Sequence, residues 1–294
     1  MKILLDGSNA WYRAYTAIQH LEQPGAGVMI MTYMLRRLCK EYGKDNITLC
    51  WDAGKGGRQE LDEGYKAGRN PIEGVWDDLI YMKRMVSALG LSQSQVEGFE
   101  ADDVAGSLAK QSTEDVYIVS YDKDFYQLVD DKISVLRPER TVKGKKIPQQ
   151  LIDRYGVIEE FGCPPDKIIL LKSFKGDNSD NIPKINIRFT KNFTEQFFKV
   201  ILKSNSVEDF YNNLSMIDVK YHEEFNKFKD RAKLNEQIVK IQTNLKPNAL
   251  KPKFDATEFE KLCNELRITK LKITDWQTMN TEAPPPAPVQ NALF

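Results

Sequence analysis

Short apolar runs alternate with longer segments of helical periodicity through the first half of the chain. The runs that predict buried strands are 2–5, 47–51, 116–120 and 133–136. The segments in which apolar residues recur at helical spacing are 28–42, 76–89 and 104–110. Strands that alternate with helices are typical of a mainly parallel sheet covered on both faces. The sequence therefore predicts an α/β fold for this half.

From Pro148 onward the pattern changes to helices, after a basic turn at 141–146. The predicted helices are 149–155, 165–174 and further helices between 207 and 245. Residues 281–289 form a Pro/Ala spacer that cannot pack and should be extended. We therefore predict an α/β core at 1–147, a helical region at 148–280 and a disordered Pro-rich tail at 281–294.

Composition limits the classes of protein that this chain can represent. Its 294 residues are 41% hydrophobic and carry no net charge, as in an ordinary globular protein. Only two histidines are present, which argues against mechanisms that need several of them. Four scattered cysteines without a CxxC pair predict free thiols in a reducing compartment. Without a signal peptide or a long apolar run, we expect an intracellular, cytoplasmic protein that does not enter a membrane.

Carboxylates collect at the ends of the predicted strands and in one loop. Asp6 follows the first strand, and Asp52 follows the second in the same relation. In open α/β sheets, functional side chains lie at this carboxyl edge. The other acids precede the helix 104–110, follow the strand 116–120 or follow the helix 165–174. They are Glu100, Asp102, Asp103, Asp122, Asp124, Asp177 and Asp180.

Each acidic pair also has a structural explanation. Asp102 and Asp103 could cap a helix, and Asp122 and Asp124 could lie in a solvated turn. Carboxylates that lie close together repel unless a proton or cation neutralises them. The whole set therefore favours two bound Mg²⁺ or Mn²⁺ ions, which prefer oxygen ligands. Two such ions suit phosphodiester hydrolysis.

Basic residues occur in two segments that could bind phosphates. The first is glycine-rich and contains Lys55, Arg58, Lys66 and Arg69; a flexible surface loop is its alternative interpretation. The second surrounds the last acidic pair and contains Lys172, Lys175, Lys184, Arg188, Lys191, Lys199 and Lys203.

Six motifs in this order resemble the 5′-nuclease superfamily of flap endonucleases, 5′→3′ exonucleases and phage replicative ribonuclease H. They are Leu5-Asp6-Gly7-Ser8-Asn9, Trp51-Asp52, Tyr65-Lys66-Ala67-Gly68-Arg69, Glu100-Ala101-Asp102-Asp103, Ser120-Tyr121-Asp122-Lys123-Asp124 and Gly176-Asp177-Asn178-Ser179-Asp180-Asn181-Ile182-Pro183. The resemblance covers about two-thirds of the chain. It implies a PIN-like sheet flanked by helices, a helical arch at about 54–75 and a helical region with a helix–three-turn–helix motif.

The resemblance also implies a role for each matching residue. The first metal ion would be served by Asp6, Asp52, Glu100, Asp102 and Asp103, and the second by Asp122, Asp124, Asp177 and Asp180. Asp102, Asp103 and Asp124 would be catalytic together with Lys66 and Arg69 at the base of the arch, where Lys66 polarises the scissile phosphate. Lys55 and Arg58 would contact nucleic acid, and Tyr65 would stack on a base near the cut.

The chain departs from the family after Asn181-Ile182-Pro183. The family is glycine-rich there and often holds a monovalent cation, whereas this chain has no glycine from Lys184 to Lys191. The implied potassium site therefore loses its close backbone approach. The side chains of Lys184, Arg188 and Lys191 would contact duplex phosphates instead, an arrangement that is similar to some phage replication nucleases. The C-terminal Gln290, Leu293 and Phe294 resemble the peptide that docks in sliding clamps.

The sequence thus predicts a Mg²⁺-dependent, structure-specific 5′-nuclease that removes RNA primers or 5′ flaps during replication. Its partners would be branched or nicked duplex DNA, RNA–DNA hybrid and a sliding clamp. It would act as a monomer, in the host cytoplasm if a phage encodes it. A PIN-like ribonuclease acting on single-stranded RNA and a non-catalytic, clamp-tethered junction-binding protein are the alternatives.

Overall fold

The computed structural model describes residues 1–17, 25–69, 72–142, 144–277 and 279. Contacts within the chain divide it into two compact units. Unit 1 comprises Met1–Ala53, Pro71–Ser120 and Asn244–Phe294, and unit 2 comprises Gly54–Asn70 and Tyr121–Thr243. The sequence predicts a domain boundary at residue 147 from the change to a helical pattern. The two units are defined by contacts instead, so this boundary stays a prediction. The predicted clamp-binding residues Gln290, Leu293 and Phe294 lie outside the described residues.

Strands and helices alternate through the first half, as predicted. The strands are β1 (Lys2–Asp6), β2 (Ile47–Cys50), β3 (Ser92–Ser94), β4 (Val116–Val119), β5 (Ile133–Arg137), β6 (Arg140–Val142), β7 (Lys145–Ile147) and β8 (Gln150–Ile152). The α-helices are α1 (Gly7–Thr16), α2 (Ala26–Tyr42), α3 (Arg58–Leu61), α4 (Leu79–Ala88), α5 (Ala101–Gln111), α6 (Arg154–Phe161), α7 (Ile168–Lys175), α8 (Lys191–Lys203), α9 (Val207–Asn212), α10 (His222–Val239), α11 (Ala256–Glu265) and α12 (Thr274–Gln277).

Unit 1 is built on a parallel sheet with the strand order β3-β2-β1-β4. The central strand β1 is almost completely apolar, and Ile3, Leu4 and Leu5 are buried. Strands buried on both faces have such continuous apolar runs, and α5 and α2 supply part of the covering. The prediction of a parallel sheet flanked by helices is confirmed.

Unit 2 combines one antiparallel strand pair with a helical core. Strand β5 pairs antiparallel with β8, and β6 pairs antiparallel with β7 in a separate two-stranded sheet. In the helical part, Phe174 of α7 contacts the rings of Phe197, Phe210 and Phe225. These fully buried rings hold α7 through α10 around one aromatic core.

Two predicted elements in this region differ from the structure. The helix predicted at 149–155 is wrong: residues 150–152 form β8, and α6 begins only at Arg154, where the Asp153 side chain caps it. Leu151 and Ile152 pair with Leu136 and Val135 of β5, so tertiary pairing overrides the local helical pattern. Where the sequence predicts a basic turn at 141–146, β6 pairs antiparallel with β7.

The described part of the predicted arch, residues 54–69 and 72–75, contains turns and only one short helix, α3. The arch itself stays a prediction. All four cysteines are free thiols, as the sequence predicted, and the structure buries all four. Within the described ranges, every helix is too short or too polar to cross a lipid bilayer.

Candidate functional site

Asp6 joins the carboxyl ends of two neighbouring strands of unit 1. It is the last residue of β1, where it pairs with Cys50 at the end of β2. Its Oδ1 accepts a hydrogen bond from the Asn9 N–H at 3.0 Å and so caps α1. Its Oδ2 accepts one from the Ser120 hydroxyl, just after β4, also at 3.0 Å. The side chain is buried, so strand ends and helix cap fix its position.

Asp52 links the end of β2 to the beginning of α5. Its Oδ1 accepts a hydrogen bond from the Ala101 N–H at 2.7 Å, and Ala101 is the first residue of α5. Its own N–H donates to the Ser8 hydroxyl at 2.9 Å. The predicted convergence of Asp6 and Asp52 at one edge of the sheet is therefore present in the structure.

The acids at the beginning of α5 form a capping box. The Glu100 side chain accepts from the Asp103 N–H, and the Asp103 carboxylate accepts from the Glu100 N–H at 3.4 Å. Asp102 Oδ1 accepts from the Asp103 N–H at 2.7 Å. Glu100 and Asp103 are buried, whereas Asp102 is half-buried. Since these acids cap a helix and also lie next to Asp52, helix capping and a functional role are compatible here. We call Asp6, Asp52 and these three acids the unit 1 acids.

The unit 2 acids are Asp122, Asp124, Asp177 and Asp180, and the last three contact cationic side chains. The Lys172 ammonium on α7 contacts the Asp124 carboxylate and lies 2.8 Å from Asp177 Oδ2. Burial and the neighbouring Asp122 charge raise the pKa of Asp124 to about 7. Burial also raises the pKa of Asp177, but the Lys172 charge outweighs it and brings this pKa down to about 2. Burial lowers the pKa of Lys172 itself, but the two carboxylates outweigh this effect, raise its pKa and keep it charged.

Asp180 binds the predicted arch segment. Its carboxylate pairs with the Arg69 guanidinium, and its Oδ2 lies 3.9 Å from Lys66 Nζ. Its backbone oxygen accepts from the Lys66 N–H at 3.0 Å. Lys66 adopts a left-handed conformation with φ 54°, which is costly for a residue with a side chain and is often found at functional sites. The structure thus brings Lys66, Arg69 and the last acidic pair together.

A tight loop presents Asp177 and Asp180. Gly176 precedes it with φ 63°, and a Cβ atom there would lie 2.4 Å from the Ile182 carbonyl oxygen. Asp177 and Ile182 exchange backbone hydrogen bonds of 3.0 and 2.8 Å that close the loop. The buried Asn235 amide of α10 donates to the carbonyl oxygens of Ser173 and Pro183, both at 2.9 Å. Glycine is therefore required at 176, and Asn235 fixes the loop to α7.

Two residues predicted to contact nucleic acid are buried in unit 2. Arg58 is only 3% exposed, and its Nε and Nη2 donate to the carbonyl oxygens of Ile238 and Lys240 at 2.9 and 3.1 Å. Tyr65 is also 3% exposed and packs with Ile182. Neither side chain reaches the surface in this conformation, so the DNA contact of Arg58 and the base stacking of Tyr65 would require each side chain to leave its buried site; both roles stay predictions.

The other predicted nucleic-acid contacts have accessible side chains. Lys55 is half-buried, and Lys184, Arg188 and Lys191 are exposed. The last three lie in, or directly after, the segment that connects the loop of Asp177 to α8, where Ile185 is buried and anchors the chain to Phe174. Their contacts with DNA stay predictions.

Sequence reasoning missed the roles of Lys172 and Asn235. The sequence places Lys172 in the second basic segment, yet it lies among Leu170, Leu171 and Phe174 on the buried side of α7. A lysine in a strongly apolar helix, five residues before an acidic loop, was the available signal. Asn235 gave a weaker one, because α10 is polar over most of its length.

In the portion of the chain that the structure describes, no three His, Cys, Asp or Glu side chains are grouped to hold a metal ion. The carboxylates contact protein N–H, hydroxyl, ammonium and guanidinium groups. The donor chemistry nevertheless fits a hard divalent cation, because every predicted ligand is a carboxylate oxygen. In unit 2, these oxygens already attract positive charge.

The fold and the acids at the sheet edge define a class of α/β proteins that place carboxylates at the carboxyl ends of parallel strands. Within this class, the chain belongs to the family described as 5′-3′ exonuclease, N-terminal resolvase-like domain, whose model matches residues 1–162. This match confirms the membership that the sequence motifs predicted.

Three known proteins illustrate the similarity. Thermostable DNA polymerase I of Thermus aquaticus is 33% identical over 253 residues, which are 83% of this chain and 29% of the polymerase. The chain thus spans less than a third of that relative. Among solved structures, the D15 protein of bacteriophage T5, co-crystallised with metal ions, matches with a TM-score of 0.64 at 18% identity. The match covers 90% of this chain and 97% of the D15 chain. Human GEN1 in complex with Holliday junction DNA has a TM-score of 0.60 at 14% identity and covers 90% of this chain and 67% of its own. These two similarities concern the fold.

Proposed function

We propose that this chain is a divalent-metal-dependent, structure-specific 5′-nuclease that hydrolyses phosphodiesters to remove RNA primers or 5′ flaps. One observation carries the proposal: Asp6 and Asp52 converge with the capping acids of α5 at the carboxyl edge of a parallel sheet, in a chain of this family. Family membership alone would support the fold. The retained carboxylates support the chemistry, because a protein that only binds DNA gains nothing from acids that repel phosphates.

Two Mg²⁺ or Mn²⁺ ions would be held by the acids of the two units. The unit 1 acids would serve one ion and the unit 2 acids the other, partly through water. Bound divalent ions would supply an activated water and charge stabilisation for the leaving oxygen. The bacteriophage T5 D15 protein was co-crystallised with metal ions, which supports divalent metal use here.

The chain's own cations would bind and orient the substrate. Lys66 and Arg69 are held at Asp180, so an incoming phosphate would compete with this carboxylate for them. Arg69 offers a planar fork of donors that suits a phosphate, whereas Lys66 contributes a point charge to polarise the scissile group. Lys55, Lys184, Arg188 and Lys191 would contact phosphates that lie farther from the cut.

Substrate recognition would depend on shape, because phosphate contacts carry little sequence information. The relatives support branched DNA: the T5 D15 flap endonuclease was solved in a complex with DNA and metal ions, and GEN1 was solved with a Holliday junction. Nicked duplex DNA and RNA–DNA hybrid are the further proposed substrates. A monomeric state, a cytoplasmic location and a sliding clamp bound through Gln290, Leu293 and Phe294 complete the proposal.

The direct test compares a 5′-labelled flap duplex with a single strand of the same sequence, each with Mg²⁺ or with EDTA. We expect metal-dependent cutting at the junction, with the single strand largely spared. Cutting of the single strand alone would favour the PIN-like ribonuclease instead. Binding of the flap without cutting would favour the non-catalytic, junction-binding protein.

A further inference from the structure

A basic cleft lies on α2 of unit 1, apart from the carboxylates. It has a volume of about 360 Å³ and is lined by Tyr33, Arg36, Arg37, Lys40 and Glu41. Three of these five residues are cations and one is an acid, so the cleft carries excess positive charge. Arg37 and Lys40 are exposed, and the proposed nuclease chemistry uses none of the five residues.

The chain around the beginning of α12 contacts two of the residues that line this cleft. The Tyr33 hydroxyl donates to the Lys270 carbonyl oxygen at 3.1 Å, and Arg36 Nη2 pairs with Asp275 Oδ1 at 2.7 Å. Lys270 and Lys272 are themselves exposed on this segment. The contacts thus hold two further lysines beside the cations of α2.

The Arg36 guanidinium has one donor without an acceptor. Its Nε is the only buried side-chain nitrogen or oxygen, among the residues that the structure describes, with no hydrogen-bond partner. Buried donors are nearly always paired, and an unpaired one costs free energy. The Arg36 side chain is 28% exposed and lines the cleft, so an oxyanion bound there would meet its guanidinium.

The cleft lies toward the other end of the sheet from the acids. Helix α2 ends shortly before β2 begins, whereas Asp52 follows the opposite end of β2. At about 3.3 Å per extended residue, Ile47 at the beginning of β2 and Asp52 are roughly 15 Å apart. This distance corresponds to roughly four or five base pairs of duplex, at about 3.4 Å each.

We infer that this cleft is a second binding site for nucleic-acid phosphates, which holds a duplex arm of the substrate away from the cut. The inference rests on the proposed function for its ligand, because that function supplies a polyanion long enough to reach both places. The Arg36 and Arg37 guanidinium groups suit phosphate oxygens, and the exposed Tyr33 ring can pack on a sugar. Free inorganic phosphate shares this chemistry and is the other source that the test must separate.

The test measures binding of the flap duplex by fluorescence anisotropy over a range of KCl concentrations, in EDTA. The variant is R37A/K40A, and the matched control is K261A, which removes an exposed lysine of α11 in the same unit. Each lost phosphate contact reduces the slope of log affinity against log salt by about 0.9. We expect R37A/K40A to lose one to two phosphate contacts, which reduces the slope by about 0.9 to 1.8, and to bind about tenfold more weakly at low salt. The slope and affinity of K261A should equal those of the parent.

Thermal melts verify that R37A/K40A folds as the parent does; if it does not, R37Q/K40Q is measured instead. An unchanged salt slope in the folded variant overturns the inference. Binding of free phosphate alone also overturns the inference. In that case inorganic phosphate raises the melting temperature of the parent but not of the variant, while the two proteins bind DNA with equal affinity. The proposed function is tested separately. If the parent binds DNA through the cleft but does not cut it, this inference holds and the proposed nuclease function is wrong.

Discussion

The acids of the two units are held in place by different means. In unit 1, Asp6 and Asp52 accept hydrogen bonds from backbone N–H and hydroxyl groups at strand ends and at a helix N-terminus. In unit 2, Asp124 and Asp177 contact the Lys172 ammonium, and Asp180 contacts Arg69. The first set is positioned by the fold itself, whereas the second depends on cations supplied by other segments.

This difference has a consequence for metal binding. A carboxylate held by neutral donors keeps its negative charge available for a divalent ion. A carboxylate paired with a buried lysine is already neutralised, so an ion must compete with that lysine or share the oxygens. We therefore expect the unit 2 acids to depend less on metal for their stability, because Lys172 and Arg69 already supply positive charge there.

The largest expected effect comes from removing one carboxylate charge in either unit. Asp102→Asn and Asp124→Asn each keep an oxygen acceptor but lose a ligand charge, so transition-state stabilisation should fall by several kcal/mol. Cleavage of the flap substrate should fall about 10³-fold in single-turnover assays. DNA affinity in EDTA should not fall, because each change removes a repulsive charge.

Glu159→Gln is the matched control, since this exposed acid of α6 lies outside both acidic sets. Its cleavage rate should equal that of the parent. Full activity in either aspartate variant would remove the metal-ligand assignment for that unit.

How far the sequence predicts this site follows the same division. Asp6 and Asp52 could be placed because strand ends of a parallel sheet share one edge, which a local apolar pattern reveals. The burial of Arg58 could not be predicted, because its acceptor at Ile238 is 180 residues away in the sequence. The local pattern of glycines and basic residues is the same whether the arginine is exposed or buried. The error at 149–155 has the same origin, since pairing with β5, and not local propensity, makes β8 a strand.

Lys172→Met tests the role of the buried cation in unit 2. Breaking a buried ion pair typically costs about 3–5 kcal/mol, and here the half-buried carboxylates of Asp124 and Asp177 lose their partner. In EDTA, the free energy of unfolding should fall by roughly this amount in urea denaturation. Excess MgCl₂ should restore part of it, since a divalent ion can replace the lost charge at Asp124 and Asp177.

The control Lys203→Met removes a lysine from the end of α8 and should change stability by no more than about 0.5 kcal/mol. If MgCl₂ stabilised Lys172→Met no more than the parent, Lys172 would not be a substitute for metal charge at these acids.

Gly176→Ala should distort the loop that presents Asp177 and Asp180. The new Cβ would lie 2.4 Å from the Ile182 carbonyl oxygen, on a residue with φ 63°. Strain of this kind costs about 1–3 kcal/mol, and the contact adds to it. We expect a loss of about 3 kcal/mol in urea denaturation and slower cleavage. Gly68→Ala is the matched control, because no heavy atom lies within 4 Å of a Cβ there; an equal loss in both variants would contradict the steric argument.

The smallest expected effect separates Arg58 from Lys55 within the same glycine-rich segment. Arg58→Lys keeps the charge but cannot reach both carbonyl oxygens that the guanidinium now binds, so the free energy of unfolding should fall by about 1–2 kcal/mol. Its affinity for flap DNA should not change, since the side chain is buried. Lys55→Ala should do the reverse, with unchanged stability and a salt slope smaller by about 0.9. Reduced DNA affinity in folded Arg58→Lys would mean that Arg58 leaves its buried site to contact the substrate.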